Sequence, residues 1–450
     1  SGTVIFDTTA TANITGATTF NYLVCTTSGK TLAFGTTGTQ TIGTFIVTGV
    51  SGDLVDIQST TSGVQGTINV TNFSVSYAAV TDSYNSGLTI EPTNSTNLGN
   101  NNTPDGWDFS GNVISWDGSS STNWNTAANW NIGVVPSAYD NISIPDASTT
   151  DHDLVLETSP TINNVTIDAD GIMDGSNQTL TLTGNWVNNG SFACGTGTVA
   201  FAGVSTISGA NVTTFNNLLI SGALTGAAGT MGLIGNFIDN GTYNHNSGTV
   251  MFNGTTQLSG SATPSFQNVY ISGTLDGSQK GFIVMGDWNN VDGWFEAGDK
   301  TVLFGGSSEI KTGGVVDGKK FYQAWFATAG SSKTVTGAIY AEDQIWVSAG
   351  TVSFVGDVTT GASGEIYFTD DCTIALNNYN ISCSNLTVGN EAGLSRTVII
   401  TSNGGNRIDA TAYIGIGAAS DDTSITLDMT GYSGTISAPA MLVTGTAFGN

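Results

Sequence analysis

The sequence predicts an all-β chain whose middle part winds as a β-solenoid, with a β-sandwich-like region at its N-terminal end. Three observations predict it. First, the chain repeats itself: Gly184 opens GNWVNNGSF, Gly235 opens GNFIDNGTY and Gly286 opens GDWNNVDGWF, at intervals of 51 residues. Second, short β-like runs such as TVAF, NLLIS and GLIGNFI are each closed by Gly, Asn, Ser or Asp, which accept the positive φ of tight turns. Third, no helical periodicity separates the runs, and the dominant Gly, Thr, Asn and Ser are poor in helix interiors.

The repeat has a finer spacing. Thr198 of GTVAF precedes Phe215 of FNNLLIS by 17 residues, as Thr249 precedes Phe266 and Thr3 precedes Phe20. The 51-residue unit therefore reads as three turns of 17 residues. Stacked turns are joined by backbone hydrogen bonds at a rise of about 4.8 Å, so 26 or so turns would give a rod of at most ~120 Å. On this reading Val199 and Phe201 stack in register with Val250 and Phe252, and Asn188, Asn189 and Asn240 form side-chain ladders at the corners.

Four regions follow along the chain. Residues 1–106 begin with a half-repeat, GTVIF, and continue in alternating runs (TFIVTGV, LVDIQST, GTINVTNFSVSYAAV) that suit antiparallel strands. Residues 107–183 hold a Trp-rich module from Trp116 to Asp146 and the first strands of the coil. Residues 184–357 carry the repeats, including a weaker copy from Ile339. Residues 358–450 form a looser C-terminal β region.

Composition narrows the function classes. The chain has 9 Lys and Arg against 35 Asp and Glu, and none of the basic residues falls between Lys30 and Lys280. Nucleic-acid binding and attachment to anionic lipid both need clustered cations, so neither partner is expected. No apolar run is long enough for a membrane-spanning helix, so membrane insertion is not expected. The N-terminus, SGTVIFDTT, lacks the basic start of a signal peptide and reads as a processed, mature end.

The units NGTYNHNSGTVMFNGTTQLSG and FQNVYISG resemble the repeats of large secreted bacterial surface proteins of the adhesin and surface-fibre type. The segment from Trp116 to Pro145 is similar to a W…W…ANW…VP…D…I-P module found beside such repeats. The resemblance spans roughly 110–360 together with the GTVIF opening, and it implies a secreted, β-rich, non-enzymatic protein of the cell surface.

Candidate sites are sparse. A polysaccharide-cleaving site on a parallel coil would need an acid or base beside a Lys or Arg, and the clearest repeats contain no such cation. No enzyme activity and no cofactor are expected. Asp168, Asp170 and Asp174 lie among Gly turns and could together offer oxygen ligands to calcium. Cys372 and Cys383 are the close pair for a disulfide, whereas Cys25 and Cys194 have no near neighbour. Trp116, Trp124 and Trp130 either plug a junction of the coil or stack on a glycan.

The leading functional expectation comes from the end of the coil. The segment Gly2, Thr3, Val4, Ile5 and Phe6 starts in the middle of a repeat, so it would present an uncapped strand edge. A contact between unlike ends does not close and propagates a filament. The expected protein is therefore an extracellular structural protein whose partner is itself, joined head to tail. The alternatives are a glycan-binding adhesin stalk or tip and a β-helix polysaccharide-degrading enzyme.

Overall fold

The structure is a computed structural model that describes residues 2–389, 396–417, 425–430 and 432–444. It is an all-β solenoid of parallel stacked coils, about 18 turns recurring about 21 residues apart. Helical structure among the described residues is confined to two short 3-10 turns, Ala127–Asn129 and Ala147–Thr149. The chain forms two compact units, 1–211 and 212–450.

In the first unit, residues up to about 109 form two sheets. One runs through Thr3–Ile5, Thr19–Cys25, Gln40–Thr48, Gly66–Ser76 and Ser83–Asn85. The other runs through Ala12–Ile14, Thr31–Phe34, Val55–Ser59, Ala78–Val80 and Thr96–Asn97. A core that includes Leu23, Phe34, Phe45, Ile57, Ile68 and Trp107 lies between them. The region is sandwich-like in its two facing sheets, but every ladder in them is parallel, not antiparallel as the alternation suggested. Alternation reports that one face of a strand is buried; it carries no information on strand direction.

From Val113 the coil of the first unit has three faces. Successive turns stack Asn141–Ile144 on Asn164–Ile167 and Trp186–Asn188 on one face. Thr179–Leu182 stacks on Thr198–Phe201 on another, and Ile172–Asp174 on Ser191–Ala193 on the third. An asparagine column fixes one corner. Asn164 Oδ1 accepts from the Asn185 backbone N–H at 2.5 Å, and Asn185 Oδ1 accepts from the Thr206 N–H at 2.9 Å. The ladder is thus formed from side chain to backbone of the next coil. Asn189 and Asn240 work the same way, accepting from Ala210 N (2.9 Å) and Ser261 N (3.1 Å). Asn188 instead caps its own turn at Gly190 N.

The second unit corrects the assumed period. There Thr230 pairs with Thr249 and Thr249 with Asn268, a step of 19 residues. Eight strands run from Phe237–Asp239 to Phe282–Val284 before the next copy of the repeat starts at Trp288–Asn289. With three strands to a turn, eight strands do not make a whole number of turns. Each copy therefore begins on a different face: Phe237–Asp239 stacks between Asn217–Ile220 and Thr255–Ser259, whereas Trp288–Asn289 stacks between Asn268–Ile271 and Ser308–Lys311. Val250 accordingly stacks on Met231 and Val269 rather than on its repeat equivalents.

After Trp294–Glu296 one face ends and the strands lengthen. Ile339–Val347 bends so that Ile339–Ala341 pairs with Val358–Thr360 and Gln344–Val347 with Glu365–Phe368. Further on the step widens, Asn385 pairing with Tyr413.

A buried lysine lies within this part of the coil. Lys333 is 1 % exposed, and its Nζ donates to Ala327 O at 2.6 Å and Ser331 Oγ at 2.5 Å. Burial pushes its ammonium down to about 8. Below that pH the group is charged in both states and the folded state bears the desolvation cost. Between about 8 and 10.5 the unfolded chain alone keeps the proton, so stability rises with pH across that window. The variant Lys333→Met is expected to be more stable than the parent at pH 7 by about 1–2 kcal/mol, with the gap closing by pH 10. Urea unfolding of both proteins at the two pH values reads this out; a gap that stays constant contradicts it.

Candidate functional site

The candidate site is the outer edge of the first strand. Thr3–Ile5 pairs in parallel with Tyr22–Val24 on one side. Tyr22 N–H donates to Gly2 O at 3.4 Å and Phe6 N–H donates to Val24 O at 2.8 Å. In a parallel ladder, alternate residues turn their backbone groups to opposite sides. Gly2, Val4 and Phe6 therefore serve the inner ladder, and Thr3 and Ile5 turn theirs outward. Among the described residues no strand takes that outer edge. Its side chains are open too, Val4 at 39 % and Ile5 at 60 % exposure.

Lys30 braces the segment that follows. It is buried, and its Nζ donates to Thr8 O at 2.8 Å and Ala10 O at 2.5 Å while lying 5.6 Å from the centre of the Phe6 ring. The first strand is thus anchored from within, and among the described residues no strand covers its outer edge. In the second unit, Thr435–Ser437 and Ala440–Thr444 both pair with Arg407–Gly417 on one side, and among the described residues neither pairs on the other. Ile436 and Met441 are exposed there.

The other expected sites resolve differently. Trp116, Trp124 and Trp130 are each 1 % exposed. Trp130 packs edge-on against both others, at ring distances of 5.1 Å and 4.8 Å. Two of the indole N–H groups are engaged, Trp116 donating to His152 O and Trp130 to Trp124 O. These rings plug the coil and present no face to a sugar. The module is tied to the preceding sheets by Asp140, a buried carboxylate that accepts from Thr96 Oγ1 (2.6 Å), Asn97 N (2.9 Å) and Ser137 N (2.8 Å). Burial raises its acid above the ordinary carboxylate range, with those bonds acting against the shift.

Asp168, Asp170 and Asp174 are not brought together as a calcium site. Asp168 accepts from Ser143 Oγ at 2.5 Å, Asp174 caps Ser176 N at 2.7 Å, and Asp170 occupies a left-handed turn position at φ +62°. Among the described residues, no group of three or more acidic, Cys or His side chains is placed to share a metal ion. Asp168 instead ties its strand to the preceding coil, and Asp174 serves its own turn.

The expected disulfide does not form: all four cysteines are free thiols. Cys372 pairs in the sheet of Gly350–Val355 and Arg396–Thr401, and Cys383 belongs to the strand Ile381–Val388 of a different sheet. Closeness along the chain had hidden this, because the intervening turn carries the backbone to another face. Burial pushes both thiols up to about 12, reinforced at Cys372 by Asp370 and Asp371.

One feature was missed in the sequence. Trp325, Trp346 and Tyr367 stack in register on successive coils and face outward. Their signal was a constant interval of 21 residues, the coil period itself, which the 51-residue repeat concealed.

Comparison of the chain with protein-family profiles, curated proteins and solved structures finds no match.

Proposed function

We propose that this is a structural protein of the cell exterior that assembles end to end, one chain extending the parallel sheets of the next. The observation that carries the reading is the outer edge of Thr3–Ile5, with outward backbone groups at Thr3 and Ile5 and exposed apolar side chains at Val4 and Ile5. Strand addition satisfies such groups at each joint and buries the apolar side chains with them. Thr435–Ser437 and Ala440–Thr444 offer the unlike partner edge, and unlike edges propagate without closing. The acidic composition, formally −26, opposes association at low ionic strength. Salt relieves that repulsion, the screening length being about 10 Å at 0.1 M.

Ile5→Pro tests the joint. Proline removes the outward N–H of Ile5 and leaves the inner bonds at Tyr22 and Phe6 in place, and an outward N–H on an edge strand is a place where proline fits. In sedimentation velocity at physiological salt, the parent is expected to shift to larger species as concentration rises. The variant is expected to stay monomeric with an unchanged circular-dichroism spectrum. Equal association by both proteins contradicts the assigned edge.

A further inference from the structure

The outward face of the coil between Phe321 and Val388 carries two side-chain columns, one aromatic and one hydrogen-bonding. Leu303, Trp325, Trp346, Tyr367 and Thr387 share the first register, and Thr301, Gln323, Gln344, Glu365 and Asn385 the second. The residues between them, Ala324, Phe326, Ile345, Val347, Ile366 and Phe368, point into the core. Alternation thus sets both columns on the solvent side. Trp325 is 36 % exposed. Its ring lies 5.6 Å from that of Trp346, which lies 4.8 Å from that of Tyr367.

The polar column holds two of these rings in place, and Ser348 holds the third. Trp346 Nε1 donates to Gln344 Oε1 at 3.0 Å, Tyr367 OH donates to Glu365, and Trp325 Nε1 donates to Ser348 Oγ at 2.8 Å. Gln323 bridges coils, donating to Asp343 Oδ2 at 2.7 Å and to Gln344 Oε1 at 3.2 Å. Asn385 donates to Glu365 Oε1 at 2.7 Å. At the start of the same strands a shallow cleft of about 380 Å³ continues the surface, lined among others by Trp294, Phe321, Tyr322 and Glu342. Trp294 there is 45 % exposed.

We infer that this face binds an uncharged polysaccharide laid along the stack of coils, with pyranose rings on Trp325, Trp346 and Tyr367 and hydroxyls on the Gln323–Gln344–Glu365 column. Three features select that ligand. A protein partner of ordinary apolar character would not be matched by an amide or a carboxylate beside each ring, whereas a sugar presents an apolar C–H face and hydroxyls within one unit. The site repeats with each coil, at a rise of about 4.8 Å, and so suits a ligand that itself repeats. The carboxylates of Glu342, Asp343 and Glu365 repel a polyanion. The side chains are already fixed by their mutual hydrogen bonds, so little ordering is left to binding.

The test is sedimentation of the full chain with insoluble cellulose and with insoluble chitin, and affinity electrophoresis through alginate as the polyanion. The parent is expected to bind at least one of the two uncharged polymers and to ignore alginate. The double variant Trp325→Ala/Trp346→Ala is expected to lose about tenfold or more in affinity, because two ring faces are removed. Trp346→Phe, which keeps a ring, is expected to retain most of the binding and guards against a folding defect. Absence of binding to both uncharged polymers, binding to alginate alone, or full binding by the double variant overturns the inference.

Discussion

Gly260→Val is expected to lower stability by roughly 3–5 kcal/mol, combining left-handed backbone strain with overpacking. Gly260 turns a corner at φ +105°, and a Cβ built there would lie 2.2 Å from Asp239 O on the coil below. The same corner occurs one repeat earlier: Gly209 has φ +122° and its Cβ would lie 2.1 Å from Asn188 O. Both corners place backbone directly over a carbonyl of the previous turn, so a side chain cannot be admitted without separating the coils. Gly229 is the control, because nothing lies within 4 Å of its Cβ position. Gly229→Ala should change stability by no more than about 0.5 kcal/mol. Thermal unfolding followed by circular dichroism compares the three proteins. If Gly260→Val melts with Gly229→Ala, the close stacking at that corner is wrong.

Trp288→Ala is expected to cost about 3–5 kcal/mol, and Trp288→Phe much less, about 1 kcal/mol. Trp288 is fully buried among Phe282, Phe295, Phe304 and Phe321, with ring distances from 5.1 to 6.1 Å. Truncation to Ala opens a large cavity in a core that cannot collapse, because each coil is held in register by its neighbours. The indole Nε1 has no hydrogen-bond partner among the described residues. Phenylalanine therefore removes an unsatisfied buried donor while keeping most of the ring. The preceding copy of the repeat already carries Phe237 at this position. Equal losses for the two variants in chemical unfolding would mean that the indole N–H is satisfied after all.

These two residues also show how far the sequence could be read. The repeat at Gly184, Gly235 and Gly286 announced a stacked coil, and the closing Gly and Asn residues marked its corners. The number of residues per turn was not legible from that repeat, because eight strands distributed over three faces bring each copy back on a different side. The direction of strands in residues 1–106 was hidden for another reason: alternation is the same in parallel and antiparallel sheets when one face is buried. The Cys372 and Cys383 expectation failed because sequence distance is a poor guide to space where a turn switches faces.

The candidate sites divide along the same line. At Thr3–Ile5 the sequence offered a half-repeat but not the ladder, which pairs Thr3–Ile5 with Tyr22–Val24 alone among the described residues. For Trp116, Trp124 and Trp130 the sequence favours burial as a plug over stacking on a glycan, because each ring carries a large apolar area, and the packing agrees. The column of Trp325, Trp346 and Tyr367 needed the coil period before its members could be seen as neighbours.

The central claim is that unlike strand edges join one chain to the next. Negative-stain imaging of the purified protein at high concentration and physiological salt tests it most directly. The account predicts unbranched filaments that lengthen with concentration and are absent from the Ile5→Pro protein. A field of uniform single particles from the parent chain, at every concentration, would contradict it.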